Sequence, residues 1–394
     1  MPKNESIVIV GAARTAVGKY GGSLSGIPNH MHGAHAMRAA LERAGLPAEK
    51  VDEVIIGCVG QVGGDAFLAR RISLEAGVRA DSTAMTVNRL CGSGLQAIQS
   101  GAMELRAGDS TYVVAGGSEN MSRQPFMDFE ARNGWKLADH TLVDGTQSLV
   151  TDPFGKYPMG VTAENVAQEF SISREDQDEF AARSQRLAEE AQKEGRFADE
   201  IAPILVKERR SERIFDEDEH IRPGTTAEKL AKLRPAFVSD GSVTAGNSSG
   251  INDASAALVM TTREVAESDG LPILGELKGF AKAGVRPEIM GYAPKYAIER
   301  VLEKTGMTLA DIDWIELNEA FAAQSLAVIR GAGLDMELTN PLGGAIALGH
   351  PVGATGAILT LRTLLNLRRQ GGGLGLVTMC IGGGQGVAAV FEVE

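Results

Sequence analysis

Leu41-Glu42-Arg43-Ala44-Gly45-Leu46, running on to Val51-Asp52-Glu53-Val54, has a counterpart in Leu302-Glu303-Lys304-Thr305-Gly306-Met307, running on to Ile312-Asp313-Trp314-Ile315. One offset superimposes a helix end, its capping glycine, a short linker and the start of a strand. The register holds further along. Cys91-Gly92-Ser93-Gly94 opens an apolar helix, and Gly353-Ala354-Thr355-Gly356 opens another at nearly the same offset. A strand and a glycine turn then follow in each half, at Val113-Val114-Ala115-Gly116-Gly117 and at Val377-Thr378-Met379-Cys380-Ile381-Gly382-Gly383-Gly384. Each half also begins with an expected strand, Ile7 to Val10 and Leu271 to Leu277. Ordered self-similarity of this kind indicates a duplication, here of an α/β unit.

Between the copies the texture changes. Met121 to Tyr157 has few strand signals, and Asp218 to Arg234 reads as loop and short helix. One amphipathic helix stands out, capped by Ser173 with Asp176 three residues on and carrying Phe180, Ser184, Leu187, Ala188 and Ala191 on one face. The segment is too long for a loop. The expected organisation is a first core half at 1–120, an inserted cap at 121–250 and a second core half at 251–394.

Composition narrows the function. The chain has 394 residues, 43% hydrophobic and 23% charged, which fits a folded protein of two or three domains. Asp plus Glu is 51 against 39 Lys plus Arg, a net charge of −12. A field of that sign argues against nucleic acid or an anionic membrane as the main partner, and requires any anionic ligand to find local basic contacts. No apolar run reaches the roughly 18 residues of a membrane span. Met1 to Ser6 does not read as a secretory leader. Three cysteines cannot make a disulfide framework, so a cytoplasmic setting is expected. Glycine is the outlier, with 48 residues clustered between strands and helix starts. Such clustering marks close backbone approach or sharp turns.

Four strand-end turns could carry chemistry. Cys91, between a strand end and a helix start, faces orphan N–H groups that would lower a thiol pKa and make a nucleophile; otherwise it is a small residue filling a tight turn. His350, in Leu348-Gly349-His350-Pro351, is either a base for a thiol or a turn histidine bonded to backbone. Cys380-Ile381-Gly382-Gly383-Gly384-Gln385-Gly386 brings a second thiol to a run of N–H groups suited to an oxyanion. The competing phosphate-loop reading lacks the closing Lys-Ser/Thr. Asn318, in Asn318-Glu319-Ala320-Phe321, could hold a water or donate to an oxyanion, or simply cap a helix. Cys58, on the strand Val54 to Cys58, reads as a buried filler.

Together, Asn88-x-x-Cys91-Gly-Ser-Gly, Asn318-Glu-Ala-Phe, Gly343-Gly-Ala-Ile-Ala-Leu-Gly-His350-Pro and Cys380-Ile-Gly-Gly-Gly-Gln-Gly resemble the motifs of the thiolases. Gly160-Val-Thr-Ala-Glu-Asn165 and Ser242-Val-Thr-Ala-Gly-Asn-Ser-Ser-Gly250 extend the likeness, which runs from Arg14 to the last strand. The resemblance implies an α/β fold, a duplicated βαβαβαββ core in five layers with the cap carrying coenzyme A. It implies reversible thiolytic cleavage of a 3-ketoacyl-CoA, or Claisen condensation of two acetyl-CoA to acetoacetyl-CoA, within fatty-acid metabolism. Cys91 would carry the acyl group, His350 would take its proton, and Cys380 would move the proton at the α-carbon. The N–H groups of Cys91 and Gly382 would hold one oxyanion; His350 and a water on Asn318 would hold the other. Met159, Arg222 and Ser249 would contact coenzyme A. The implied coenzyme A is a substrate, with no tightly bound cofactor and no metal, and the implied assembly is a homodimer or homotetramer.

One departure concerns the acyl chain. Short-chain members of the family commonly carry His before the cap-loop Met, whereas this sequence has Tyr157-Pro158-Met159-Gly160. Asp218-Glu219-His220-Ile221-Arg222-Pro223 likewise resembles broad-range degradative members of β-oxidation. Three other readings compete. A decarboxylating ketoacyl synthase would need a second histidine where Asn318 stands. A non-catalytic acyl-CoA or lipid binder would not need both Cys91 and Cys380. A Cys–His amide hydrolase would leave Cys380 without a task.

Overall fold

The computed structural model describes residues 5–207 and 211–394. Of Met1 to Ser6, read above as no leader, residues 1–4 lie outside them. The first half supplies strands β1 (Ile7–Arg14), β2 (Glu53–Gly57), β3 (Thr83–Val87) and β4 (Val113–Asn120). Then come β5 (Asn252–Thr262), β6 (Gly275–Gly284), β7 (Trp314–Leu317), β8 (Gly373–Ile381) and β9 (Gln385–Val393). They form one path, β7-β8-β9-β6-β1-β5-β4-β2-β3, in a ten-stranded sheet that the short strand Gly18–Lys19 completes beside β5.

The path makes the duplication visible. Outward from the centre it reads β1-β5-β4-β2-β3 on one side and β6-β9-β8-β7 on the other. Each entry strand pairs antiparallel with its half's last strand, which pairs antiparallel with the next, and parallel pairs follow only beyond that. The counterpart of β3 shrinks to a single bridge, Ile315 to Thr339. The halves join through a short antiparallel pairing, Val8 to Glu276 and Ile9 to Gly275.

Two points differ from the sequence reading. β5, assigned by sequence to the start of the second half, hydrogen-bonds to β1 and β4 and so completes the first half's share of the sheet. The second half's entry strand begins at Gly275 rather than Leu271, because Pro272 offers no N–H and Leu274 donates instead to the Ile9 carbonyl.

Helices α1 (Asn29–Ala44), α2 (Ser93–Ala107), α3 (Met159–Glu169), α4 (Arg174–Lys193), α5 (Ala293–Thr305), α6 (Ala322–Ala332) and α7 (Thr355–Arg369) complete the frame. The duplicated helices α1 and α5 end on left-handed Gly45 and Gly306, as their sequences require. They cover the outer faces, while α2 and α7 lie between the sheet halves and touch each other, giving five layers. That contact depends on glycine. A Cβ on Gly94 would stand 2.8 Å from the Ala357 nitrogen, and one on Gly356 would stand 2.3 Å from the Leu95 nitrogen. Both central helices therefore begin within one small volume.

The cap is two hairpins, short helices and α3 and α4. Ser173 and Asp176 close the expected capping box on α4. The cap is fastened to the core by a buried ion cluster. Arg14 makes a paired contact with Asp218 at 2.7 and 2.8 Å and meets Glu200 at 2.7 Å. Asp218 also accepts the Val17 N–H at 2.7 Å, which sets the direction of the 218–222 strip.

Candidate active site

Cys91 sits on the elbow between β3 and α2. Leu90 before it takes φ of 45°, a left-handed conformation that strains a residue bearing a Cβ. Side chains hold it there. Asn88 Oδ1 accepts the Leu90 N–H at 2.9 Å; the Ser93 hydroxyl donates to the Leu90 carbonyl at 2.6 Å and accepts the Arg89 N–H at 2.9 Å. The backbone N–H groups of Gly382 and of Cys91 itself lie near the sulfur and favour its thiolate. The helix start was expected to lower the thiol pKa. Burial outweighs those donors and pushes it up to about 11.

His350 is buried, on the turn leading into α7. Its N–H donates to Asn252 Oδ1 at 3.0 Å. Ring Nδ1 lies 2.7 Å from Thr355 Oγ1, and that hydroxyl lies 3.0 Å from the Pro351 carbonyl, which can only accept. The hydroxyl's proton goes to the carbonyl, so Nδ1 carries hydrogen and Nε2 keeps its lone pair. Asn318 Nδ2 approaches Nε2 at 3.4 Å. Desolvation holds the imidazole down to about 4, so it is uncharged at neutral pH.

Cys380 is the penultimate residue of β8 and is fully buried among Ala320, Phe321, Met290 and Val243, with Met159 and Phe237 packed alongside. Burial pushes its thiol well up, and a charge on nearby Cys91 would push it further. Asn318 follows β7, its N–H on the Thr378 carbonyl at 3.0 Å; its Oδ1 is buried with no partner among the described residues.

These turns meet at one cavity of about 690 Å³. Cys91, His350, Gly382, Met159, Ser249 and Arg222 all line it, with Leu90, Pro158, Met290 and Phe321. Asn318 lies behind His350, and Cys380 lies behind Met159 and Phe321. Arg222 is at the exposed mouth, its N–H held by Gln185 Oε1 at 2.8 Å. The Ser249 N–H donates to the Ala320 carbonyl at 3.0 Å. Every residue singled out from the sequence thus reaches the cavity or its immediate wall. Thr355 and Asn252 were missed. Thr355 stood in the quoted Gly353-Ala354-Thr355-Gly356 without a role, and nothing in the local pattern links Asn252 to a turn 98 residues away.

A duplicated α/β core that closes on two thiols and a neutral imidazole defines an acyl-transfer type of enzyme scaffold. Comparison with known proteins agrees. The thiolase N-terminal domain model matches residues 7–264, and the thiolase C-terminal domain model matches residues 271–393. The chain is 49% identical over 386 residues to an acetyl-CoA acetyltransferase of Pseudomonas aeruginosa strain PAO1, covering 98% of each. Among solved structures it superimposes on the Bacillus anthracis acetyl-CoA acetyltransferase with a TM-score of 0.97 at 44% identity, covering 98% of each chain. It superimposes on human mitochondrial 3-ketoacyl-CoA thiolase in complex with CoA with a TM-score of 0.96 at 40% identity, covering 99% of this chain and 98% of that one. The chain belongs to the thiolase family.

Proposed function

We propose that this chain is an acetyl-CoA C-acyltransferase that cleaves 3-ketoacyl-CoA with coenzyme A, or in reverse condenses acetyl-CoA to acetoacetyl-CoA, through an acyl group on Cys91. The observation that carries the reading is that Cys91, Gly382 and His350 line one cavity, with the His350 hydrogen on Nδ1 and its Nε2 left as the acceptor.

The resting pair is thiol and imidazole, both uncharged, as burial of each group favours. When the 3-keto carbonyl docks, the Cys91 proton passes to His350 Nε2 and the sulfur attacks C3. The charge gathers on the carbonyl oxygen, for which the N–H groups of Cys91 and Gly382 are the available donors; removing one such donor costs about 2.7–4 kcal/mol in comparable sites. The C2–C3 bond then breaks, its electrons forming an acetyl-CoA enolate. Cys380, a thiol at rest, delivers its proton to C2. A second coenzyme A passes its thiol proton to the Cys380 thiolate and attacks the thioester; the departing Cys91 thiolate takes back the proton held on His350, which restores the resting site. In the reverse direction the acylated Cys91 can no longer hold a charge. Burial still opposes ionising Cys380, but the part of the opposition that comes from Cys91 is gone when Cys380 must remove a proton.

Met159, Ser249 and Arg222 are the proposed coenzyme A contacts, Arg222 supplying positive charge at the mouth of an acidic protein. The reading includes a homo-oligomer. Edge strand β3 has a free side, and Phe126, Phe129, Trp135, Leu137 and Leu142 are exposed along one cap hairpin. It also includes a cytoplasmic setting, which suits three free thiols; among the described residues no helix is long and apolar enough to cross a membrane.

The test is the absorbance of the magnesium enolate of acetoacetyl-CoA. It should fall when coenzyme A is added to the enzyme and hold steady with Cys91→Ala. Equal decay in both would remove Cys91 from the reaction.

A further inference from the structure

Glu119, the penultimate residue of β4, is fully buried and belongs to none of the motifs above. Its Oε2 accepts the N–H of Val59 and of Gly353, each at 2.9 Å. Its Oε1 accepts the N–H of Gly60 at 2.9 Å and faces the Cys58 thiol at 3.6 Å. All four partners donate, and among the described residues no lysine or arginine pairs with it. A carboxylate meets that demand; an amide does not. Space is reserved for it as well, since a Cβ on Gly353 would come within 2.5 Å of Oε2.

The partners come from both halves. Gly353 is three residues past His350. Val59 follows β2, and its carbonyl lies 3.5 Å from Asn88 Nδ2. Asn88 in turn holds the Leu90 N–H at 2.9 Å on the Cys91 elbow. Val59 and Val352 pack in one cluster against Leu90 and Cys91. A continuous bridge therefore runs from the His350 turn through Glu119, Val59 and Asn88 to the nucleophile.

We propose that Glu119 is a positioning residue for the acyl transfer: its carboxylate ties the turn that carries His350 to the loop braced against the Cys91 elbow, and so sets imidazole against thiol. The proposal rests on the thiolase reading for the reaction it serves. Burial pushes the Glu119 acid up to about 7, so it is ionised toward alkaline pH. The titratable groups that face it are Cys58 and Cys91, and its charge opposes ionisation of both. Cys58 is thus the thiol member of this cluster rather than a plain filler.

Glu119→Gln puts an NH2 group where N–H must be received. Two measurements are made on it: thiolysis kinetics, and the rate of Cys91 alkylation by iodoacetamide across pH, which needs no acyl-CoA and so stands apart from the thiolase reading. The expected result is a kcat lower by about 10- to 100-fold with KM for coenzyme A within about twofold, by analogy with lost orienting partners elsewhere. The alkylation profile should also move to lower pH, because the charge opposing the Cys91 thiolate is gone. An unshifted profile, or a kcat within about twofold of the parent, overturns the proposal. Should the variant not accumulate folded, Glu119→Asp takes its place. That change keeps the charge and breaks the bridge, so kcat should fall at least about fivefold with the parent alkylation profile, and an unchanged kcat overturns the proposal.

Discussion

At the residue scale, the two cysteines show which of two opposing forces prevails. Cys91 stands where a helix start and two N–H donors favour a thiolate, yet desolvation raises its thiol to about 11. The site therefore stores a thiol and relies on His350, held neutral at about 4, to take the proton when substrate supplies an oxygen to receive the charge. Cys380 is the more deeply desolvated of the two and has Cys91 as its charged neighbour in waiting. A hydroxyl in its place would be a far weaker acid. Cys380→Ser should slow exchange of the acetyl-CoA α-protons with solvent deuterium by about 10²–10⁴-fold, the usual worth of a placed acid–base group. Acylation of Cys91, read by mass spectrometry, should persist. Exchange at the parent rate would take the α-carbon role away from Cys380.

At the scale of elements, the cap loop between the short helix Gly145–Leu149 and α3 shapes the acyl end of the cavity. Thr151 bridges Pro158, the Met159 N–H reaches the Val150 carbonyl at 2.9 Å, and Asp152 accepts the N–H of Phe154 and Gly155 at 2.9 and 2.6 Å. Pro158 lines the cavity and precedes the first turn of α3 with φ of −58°. A proline there offers an apolar, stiff wall where an imidazole would offer a polar one. Pro158→His should shift relative kcat/KM toward the four-carbon substrate by about 10-fold, within the 1–3 kcal/mol reach of a pocket change. Unchanged ratios across a ladder of 3-ketoacyl-CoA lengths would refute this account of the loop. The same scale shows what was legible beforehand. Helix ends at Gly45 and Gly306, the capping box at Ser173 and the reactive turns are local patterns, and they could be read from the chain. The place of β5 in the first half's share of the sheet could not, since Asp253 pairs with Asn120 far back in sequence. Nor could the hydrogen bonds that fix the His350 tautomer, or the burial that reverses the expected Cys91 shift, because both depend on what packs around a residue rather than on its neighbours in sequence.

For the whole molecule, buried titratable groups set how stability responds to acid. Three histidines, His32 and His350 buried and His220 partly so, are held below their ordinary 6.5: His32 to about 3, His220 to about 4 and His350 to about 4, each chiefly by desolvation. Unfolding lets them charge below about pH 6.5, so their contribution to stability falls as pH drops from there to about 4. Three buried acids are held above their ordinary range: Glu119 and Glu316 to about 7 and Asp253 to about 6, again chiefly by desolvation. The folded state binds their protons first. Their contribution therefore rises as pH drops from about 7 until the unfolded acids also protonate near 4.5. The two sets are equal in number and opposite in sign across the interval from about 6.5 to 4.5. His30 and His35, lowered, and Glu53, Asp65 and Glu319, raised, extend both sides in the same pattern. Calorimetric Tm should accordingly vary little through that interval. Below about pH 4 the raised acids are protonated in both states, while carboxylates that hydrogen bonds hold below their ordinary range, Asp176, Asp269 and Asp311 among them, give up their contribution as they protonate, so Tm should fall steeply. A steady decline beginning at neutral pH would mean that the buried acids are already ionised without penalty in the folded protein. It would count against a desolvated Glu119 and against the desolvated thiol and imidazole on which the chemistry relies.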